Sequence, residues 1–272
     1  MAQIKLVASD IDGTLLNSDK KISYRTIETV EKLKQMGVHV VLCSGRPVSG
    51  VMPHLKKLGL TDHDNYVITF NVAKSSNVTN TKVIKTHPLG YDDFVKFHDL
   101  AQKLGFGMQV VTLKSEIFTT SANISKYTVR DAFNTNMQIK YRPADLISPD
   151  IEIAKIMFVD DPTRISKLGG QLPKEILTDY YAVRTGSWSF EFMNKDASKG
   201  NALMDLCEYL GIDPAETMAI GDQNNDLTML EKAGIGVAMA NGNDLVKKTA
   251  DVLTPSNDDD GVAQAMERYI LK

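Results

Sequence analysis

The chain is organised around one stretch near its start, Asp10-Ile11-Asp12-Gly13-Thr14-Leu15. The mostly apolar run before it, residues 4–9, predicts a buried strand that ends where the carboxylates begin. Residues two apart in an extended chain point to the same side, so Asp10 and Asp12 are expected near each other at the end of that strand. Two neighbouring carboxylates repel each other unless a cation lies between them. The stretch therefore suggests a hard metal ion, an anionic ligand or both.

Two simpler interpretations compete with a ligand site. An Asp/Gly/Thr cluster after a strand is often only a turn. A calcium-binding helix–loop–helix needs Asp or Asn at its fifth position and Gly at its sixth, where this chain has Thr14 and Leu15. The calcium loop is excluded, and partners elsewhere in the chain must decide between a turn and a ligand site.

Composition narrows the class of protein. The 272 residues are 43% hydrophobic and 24% charged, which is ordinary for a soluble globular chain. A net charge of −3 argues against nucleic-acid binding, and no apolar run approaches the length of a membrane span. The N-terminus lacks a signal segment, and Cys43 and Cys207 form no close-spaced pair, so neither a zinc site nor a disulfide framework is indicated. We expect a cytoplasmic protein.

Strands and helices alternate in the first and last parts of the chain. This alternation predicts an α/β fold, with a parallel sheet that carries helices on both faces. In such sheets ligands bind beyond the carboxyl ends of the strands. The predicted strands are 4–9, 38–43, 66–70, 217–220, 234–239 and 252–253, and the predicted helices are 22–37, a segment ending at 58, 198–209, 227–233, 245–249 and 262–271.

The middle of the chain interrupts this alternation. Its predicted strands are 108–112, 116–119, 153–160, 180–185 and 190–193, and its predicted helices are 91–105 and 123–133, with 168–177 helical or irregular. We interpret residues 89–186 as an inserted α+β domain, with linkers near Pro88-Leu89-Gly90 and Gly186-Ser187. Residues 1–88 and 187–272 then form one discontinuous core domain.

Several polar residues fall at the predicted strand ends and helix starts. Ser44, with the backbone N–H groups beside it, suits an anionic oxygen, although a Ser-Gly turn is more often a helix cap. Asp222 and Asp226 follow a later strand, and Lys199 begins a helix. Mg²⁺ uses a few carboxylates and takes water and phosphate oxygens as its other ligands. With Lys199 to balance charge, the set that includes Asp10 suits phosphoryl transfer to a carboxylate.

The order of four motifs resembles that of the haloacid dehalogenase-like phosphatases, specifically Cof-type hydrolases with a large α/β (C2-type) cap. The motifs are Asp10-Ile11-Asp12-Gly13-Thr14-Leu15, Ser44-Gly45-Arg46, Ser198-Lys199-Gly200-Asn201-Ala202-Leu203 and Gly221-Asp222-Gln223-Asn224-Asn225-Asp226. The resemblance covers nearly the whole chain and implies a Rossmann-like core with an inserted cap domain that covers the site and sets substrate choice.

The resemblance also implies roles for single residues. Asp10 is expected to attack phosphorus and form an aspartyl phosphate, and Asp12 to protonate the leaving oxygen and then activate water. Asp226 is expected to orient Lys199 or metal-bound water, with Arg46 as a further supporting residue. The implied cofactor is Mg²⁺, held by the Asp10 side chain, the Asp12 backbone carbonyl and Asp222, with support from Gln223. The implied phosphate-binding groups are Ile11, Ser44, Gly45, Lys199 and Asn225.

Two stretches depart from the usual family sequence. Val72 in Asn71-Val72-Ala73 replaces a glycine, and Met239-Ala240-Asn241-Gly242 replaces Met-Gly-Asn, which leaves the contribution of Asn241 open. Other features have two interpretations each. Cys43 beside Ser44 suggests a thiol phosphatase, but the loop to Arg46 is too short and a buried strand cysteine is favoured. The acidic run 258–260 is a second cation site or, more simply, a solvated loop. Substrate contact or surface packing is expected of Arg46, Tyr127, Arg184 and Trp188.

The leading functional interpretation is a Mg²⁺-dependent phosphatase of small phosphorylated metabolites such as sugar phosphates, with no nucleic-acid or membrane partner. Two alternatives stay open: a phosphosugar mutase-type phosphoryl transferase, and a phosphometabolite-binding regulator that has lost catalysis. An oxidoreductase is disfavoured, because Gly234-Ile235-Gly236 begins a dinucleotide fingerprint whose third glycine is missing.

Overall fold

A computed structural model describes residues 3–69, 74–79 and 82–271, and the chain divides into two compact units. The first unit consists of residues 1–86 and 198–272, and the second of His87–Ala197. Within the described ranges, no helix has the length and apolar character needed to cross a membrane.

The regular elements follow one another along both units. The strands are β1 (Leu6–Ser9), β2 (His39–Cys43), β3 (Tyr66–Thr69), β4 (Lys74–Asn77), β5 (Val83–Thr86), β6 (Gly107–Thr112), β7 (Ile117–Thr119), β8 (Ile139–Tyr141), β9 (Ile153–Val159), β10 (Tyr180–Val183), β11 (Ser189–Asn194), β12 (Thr217–Gly221), β13 (Ile235–Met239) and β14 (Val252–Thr254). The helices are α1 (Tyr24–Gln35), α2 (Val48–Lys57), α3 (Tyr91–Leu104), α4 (Lys126–Thr135), α5 (Pro162–Leu168), α6 (Lys174–Asp179), α7 (Lys199–Leu210), α8 (Leu227–Lys232), α9 (Asp244–Thr249) and α10 (Gly261–Tyr269).

The first unit is built on an eight-stranded sheet with the order β14-β13-β12-β1-β2-β3-β4-β5. The strands from β14 to β3 pair in parallel, and the hairpin of β4 and β5 adds an antiparallel edge. The predicted parallel α/β sheet is therefore confirmed. Capping signals in the sequence correctly mark two helix starts, because Ser23 accepts the Thr26 N–H before α1 and Ser198 accepts the Asn201 N–H before α7.

Both faces of this sheet are buried. Val7 and Val40 belong to an apolar layer that contains side chains of α1 and α10, whereas their neighbours Leu6 and Val41 belong to the layer of α7 and α8. Burial on both faces explains why the strands are near-continuous apolar runs rather than alternating ones.

The second unit has a six-stranded sheet with the order β10-β11-β9-β6-β7-β8, in which only β7 and β8 pair in parallel. Its core is aromatic, with Phe97 at 4.6 Å from Phe192 and Phe158 at 4.9 Å from Phe192 between ring centroids. Helix α4 and the adjoining β8 lie between β7 and β9 along the chain.

The structure corrects the predicted domain boundaries of 89–186. The second unit begins at His87 and ends at Ala197, because β11 pairs with both β9 and β10 and so belongs to its sheet. The sequence Gly186-Ser187, which suggests a linker, lies in the turn between β10 and β11. A tight turn and a linker share the same residue types, so composition alone does not separate them.

Two short elements of this unit were not predicted. Strand β8 has only three residues, and α5 begins at Pro162 after Asp161, a capping signal that the sequence carries. Asn71, which directly follows the predicted third strand 66–70, and the departure at Val72 lie outside the described residues.

Candidate active site

The register of the sheet aligns three strand ends in the first unit. Ser9 at the end of β1 is opposite Leu42 of β2 and Ile220 of β12. The residues that follow these strands, Asp10, Ser44 and Asp222, therefore lie at one edge of the sheet, as the sequence predicts. All three are buried, with exposed fractions of 7%, 3% and 3%.

Lys199 places a charged amine among these carboxylates. It is the first residue of α7, and its Nζ donates to Asp10 Oδ1 at 2.5 Å and to Asp226 Oδ1 at 2.6 Å. The next residue, Gly200, allows this approach, since a Cβ there would lie 2.2 Å from the Thr228 carbonyl oxygen. The close packing of α7 on α8 thus directs Lys199 to the strand ends.

Asp226 is held from two sides. Its Oδ1 accepts from Lys199, and its Oδ2 accepts the backbone N–H groups of Asp222 at 2.9 Å and Gln223 at 3.0 Å. It is fully buried. Three donors on one carboxylate fix its position and place it to orient Lys199.

Asp222 is oriented by residues of the first motif. Thr14 Oγ1 donates to its Oδ1 at 2.7 Å, and Gln223 Nε2 donates to its Oδ2 at 3.1 Å. Gly13 has a φ of +88°, and a Cβ there would lie 2.5 Å from Asp222 Oδ2. Glycine is therefore required both by the left-handed backbone and by the close approach of this carboxylate.

Oxygen atoms of Asp10, Asp222 and Asp226 lie within 4.8 Å of one another. Carboxylate oxygens are the ligands that Mg²⁺ and Ca²⁺ prefer, so the donor set fits a hard divalent cation. Asp226 already accepts from three donors. Asp10 and Asp222 are therefore the carboxylates best placed to bind the cation.

Burial governs the ionisation of this cluster. It raises the pKa of Asp10 to about 8, and the charges of Asp226 and Asp222 act in the same direction against Lys199. Burial also raises the pKa of Asp222, although hydrogen bonding from Thr14 opposes it. Burial by itself would lower the pKa of Lys199, but the carboxylates outweigh it and raise that pKa, so Lys199 is charged.

Asp12 faces a different set of partners. Arg46 donates through Nε to Asp12 Oδ2 at 2.9 Å and through Nη2 to Oδ1 at 2.8 Å, and Lys20 Nζ lies 3.5 Å from Oδ1. The Asp12 side chain is 42% exposed. The two aspartates of the first motif are thus separated, one in the buried cluster and one in an accessible pair with arginine.

The expected phosphate-binding groups belong to the strand ends and turns that carry the cluster. Ser44 Oγ accepts the Arg46 N–H at 3.2 Å and can donate its own hydrogen. The Ile11 side chain is buried in the core, so its backbone is the part that can serve a ligand. Gly45 follows β2, and Asn225 lies in the 3₁₀ turn Asn224–Asp226 that leads into α8.

Three asparagines support the site without having been predicted to do so. Asn241 Nδ2 donates to the Gly13 carbonyl at 2.7 Å, and its Oδ1 accepts the Asn257 N–H at 3.0 Å. Asn257 Nδ2 in turn donates to the Leu16 carbonyl at 2.8 Å. Asn243 reaches Asn224 at 3.0 Å. The change to Ala240 therefore leaves Asn241 in contact with the first motif.

The remaining candidate residues have structural partners. Both oxygens of Asp258 accept from Ser18, at 2.7 Å each, so this carboxylate fastens the loop after the first motif. Cys43 is fully buried, and burial raises the pKa of its thiol to about 12, which is unsuited to a thiolate nucleophile. In the second unit, Tyr127 stacks on Trp188 at 5.8 Å, and Arg184 donates to backbone carbonyls of its own turn.

A parallel α/β sheet whose strand ends carry a buried cluster of carboxylates and one lysine offers a site for a divalent cation and an anionic ligand. The chain belongs to the haloacid dehalogenase-like hydrolases, because the model of that family matches residues 7–266. The resemblance drawn from the four motifs is confirmed.

Individual relatives agree with this assignment. The chain is 39% identical over 267 residues to "Putative phosphatase YxeH" of Bacillus subtilis, covering 98% of both chains. It is 28% identical over 268 residues to 5-amino-6-(5-phospho-D-ribitylamino)uracil phosphatase YitU of the same organism, covering 97% of both. A crystal structure of a haloacid dehalogenase-like hydrolase from Bacteroides thetaiotaomicron is 30% identical with a TM-score of 0.83, covering 98% of this chain and 99% of that one. The protein is thus an enzyme, a phosphatase of this family.

Proposed function

We propose that the protein is a Mg²⁺-dependent phosphatase that hydrolyses small phosphorylated metabolites, sugar phosphates or similar monoesters, through an aspartyl phosphate on Asp10. The observation that supports this most directly is the position of Lys199, 2.5 Å from Asp10 and 2.6 Å from Asp226. A buried ammonium beside a buried carboxylate offsets the charge that a phosphate brings to it.

The first step transfers the phosphoryl group to the enzyme. An oxygen of Asp10 forms a bond to phosphorus while the bond from phosphorus to the leaving oxygen breaks, and Asp12 gives that oxygen a proton. Ser44, Asn225 and the backbone N–H groups of Ile11 and Gly45 hold the phosphoryl oxygens together with Lys199.

The second step releases inorganic phosphate. Asp12, now a carboxylate, takes a proton from a water molecule as the water oxygen bonds to phosphorus. The bond between phosphorus and Asp10 breaks, and the carboxylate is restored. The 42% exposure of Asp12 suits both roles, since leaving group and water must each reach it.

The cation would be held by the carboxylates of Asp10 and Asp222 and the backbone carbonyl of Asp12, with Gln223 supporting Asp222. When bound, Mg²⁺ supplies charge neutralisation and positioning of the phosphoryl oxygens. The 4.8 Å cluster of carboxylate oxygens supports this assignment through its donor chemistry.

Two observations support the substrate class and setting. The name of YitU describes the phosphate monoester of a small polyol-bearing metabolite, at full-length similarity to this chain. Cys43 and Cys207 are both buried free thiols, as expected of a protein that acts in the reducing cytoplasm.

Phosphate release from an aryl phosphate and from a panel of phosphorylated metabolites tests this proposal. We expect release with Mg²⁺ and none with a chelator. Asp10→Asn should abolish turnover, and Asp12→Asn should slow it by about two to four decades while phosphate still binds. Asp64→Asn, which changes a contact between two exposed side chains, Asp64 and His63, is the matched control.

Three results would contradict the proposal. Retained turnover in Asp10→Asn would exclude that residue as the nucleophile, and a near-normal rate in Asp12→Asn would exclude the acid/base role. Binding of many metabolites without hydrolysis of any would favour a regulator.

A further inference from the structure

Arg46 connects the turn after β2 with the loop after β1. Its guanidinium donates two hydrogen bonds to the Asp12 carboxylate, from Nε to Oδ2 at 2.9 Å and from Nη2 to Oδ1 at 2.8 Å. This two-bond geometry lets arginine fix both the position and the orientation of a carboxylate, which a lysine cannot do. The arginine is itself anchored, because its backbone N–H donates to Ser44 Oγ at 3.2 Å and Nη1 donates to the Gly50 carbonyl at 3.5 Å.

We propose that Arg46 is the positioning residue for Asp12 and thereby sets how well the enzyme hydrolyses esters with poor leaving groups. The inference rests on the proposed phosphatase function. A carboxylate that is 42% exposed has room to rotate about its side-chain bonds. The two hydrogen bonds from Arg46 select one orientation of the Asp12 carboxyl group, away from the carboxylate cluster of Asp10 and Asp222. Each Asp12 oxygen keeps a second lone pair, and the proton for the leaving oxygen is carried there.

The chemical consequence depends on the leaving group. In the first step, the proton of Asp12 goes to the leaving oxygen as the bond from phosphorus to that oxygen breaks. An alkoxide is a poor leaving group and needs this proton, whereas a nitrophenolate leaves with little help. Misplacing Asp12 should therefore slow the transfer from an alkyl phosphate far more than the transfer from an aryl phosphate.

Two other roles for Arg46 make different predictions. If its guanidinium bound the phosphate of the substrate, its loss would raise KM alike for every ester. If it only stabilised the turn after β2, its loss would lower the activity on all esters by one factor. A loss of activity that depends on the leaving group would distinguish positioning of Asp12 from phosphate binding and from turn stabilisation, because neither of those two roles involves the leaving oxygen.

The test measures kcat and KM of the full chain for p-nitrophenyl phosphate and for glycerol phosphate. Arg46→Gln should lower kcat/KM for glycerol phosphate by about ten- to hundredfold, and for p-nitrophenyl phosphate by less than about threefold. KM should change little for glycerol phosphate. For p-nitrophenyl phosphate, kcat and KM should fall together, because Asp12 also activates the water of the second step, which kcat/KM does not report. Arg46→Lys, which keeps the charge and loses the fork, should recover only part of the loss.

A matched control comes from the same unit. Arg25 makes the same two-bond contact with Glu267, at 3.1 Å from Nε and 2.6 Å from Nη2, on α1. Arg25→Gln removes an equivalent pair from a helix surface and should leave both kcat/KM values near those of the wild type. An Asp12→Asn, Arg46→Gln double variant should be no slower than Asp12→Asn alone, since Arg46 acts through Asp12.

The possible results distinguish failure of the positioning role from failure of the proposed phosphatase function. Equal losses on the two esters, a common rise in KM, or an additive loss in the double variant would each overturn the positioning role. A wild-type protein that releases no phosphate from any ester would instead refute the proposed function, and the inference would fall with it. An active wild type with equal losses refutes the positioning role alone.

Discussion

Replacement of Asp226 by asparagine tests the buried cluster more severely than its small change in size suggests. The Asp226 carboxylate accepts from three donors: Lys199 on Oδ1, and the backbone N–H groups of Asp222 and Gln223 on Oδ2. An asparagine has one oxygen and one NH₂ group. Whichever way the amide turns, its NH₂ group must face a donor.

The magnitude follows from the better of the two orientations. With the amide oxygen on the two backbone N–H groups, the NH₂ faces the Lys199 ammonium, and one charge-assisted hydrogen bond worth about 1.5–3 kcal/mol is lost. Asp10 still pairs with Lys199, so the full cost of about 3–5 kcal/mol for an unpaired buried charge is not reached. We expect the free energy of unfolding to fall by about 2–3 kcal/mol.

Activity should fall for a related reason. Lys199 loses one of its two carboxylate partners and faces the amide NH₂ group in its place, so the ammonium moves away from that side while it stays in contact with Asp10. A displacement of about 1 Å in such a group costs about hundredfold in rate, so kcat/KM should fall by about two decades.

Two measurements separate these effects. Urea unfolding gives the stability loss, and phosphate release per folded molecule gives the change in kcat/KM. Asp64→Asn is again the control, because the side chains of Asp64 and its partner His63 are 79% and 78% exposed and such pairs contribute about 0–1 kcal/mol. If Asp226→Asn kept kcat/KM within about threefold of wild type, Asp226 would not position Lys199 for chemistry. A stability loss with full activity would make its role purely structural.

Two further substitutions test Asp131 on α4 and Gly13 beside Asp222. Burial raises the pKa of the Asp131 carboxyl group above its value in the unfolded chain. As pH rises from the unfolded pKa through the folded pKa, the unfolded chain loses this proton first, and the free energy of unfolding falls. Asp131→Asn should therefore raise Tm at about pH 7, with the gain shrinking toward about pH 4; a pH-independent difference would contradict this. Gly13→Ala should weaken Mg²⁺ binding in calorimetry by about tenfold or more, since its Cβ would lie 2.5 Å from Asp222 Oδ2. Gly37→Ala, at a φ of +77° with nothing within 4 Å, isolates the backbone strain, and equal Mg²⁺ affinities of these two variants would refute the steric argument.

The alternation of strands and helices in the first unit could be predicted because each element carries its own local signal. Buried parallel strands are continuous apolar runs, and Ser23 and Ser198 mark helix starts. The parallel order then aligns strand ends, so Asp10, Ser44 and Asp222 could be placed together before any contact was known.

The domain boundary after residue 186 could not be predicted in the same way. The apolar residues of β11 fit a strand of either sheet, and its membership depends on pairing with β9 and β10. Pairing partners are set by non-local contacts, which a local pattern does not contain.

The hydrogen bonds from uncharged side chains that support the site were not predicted, for a similar reason. Thr14 and Asp222 are 208 positions apart in sequence, and Asn241 reaches Gly13 across 228 positions. A hydroxyl or amide of this kind looks in the sequence like any other turn residue. The carboxylates and Lys199 were found because charged residues at strand ends are rare enough to demand a partner, whereas Thr and Asn are not.

Charge balance explains why the two aspartates of the first motif must face different partners. Burial raises the pKa of Asp10 and Asp222, which opposes full ionisation of the cluster. With all three carboxylates ionised, Asp10, Asp222 and Asp226 would carry −3 and Lys199 +1, and one bound divalent cation would neutralise the remaining −2. A fourth carboxylate in this cluster would leave an uncompensated buried charge, which is costly. Asp12 avoids this because its charge is matched by a separate partner in a half-exposed pair. The contact with Arg46 therefore has a second consequence beside the proposed orientation of a proton donor: it keeps the carboxylate of Asp12 apart from the cluster of Asp10, Asp222 and Asp226.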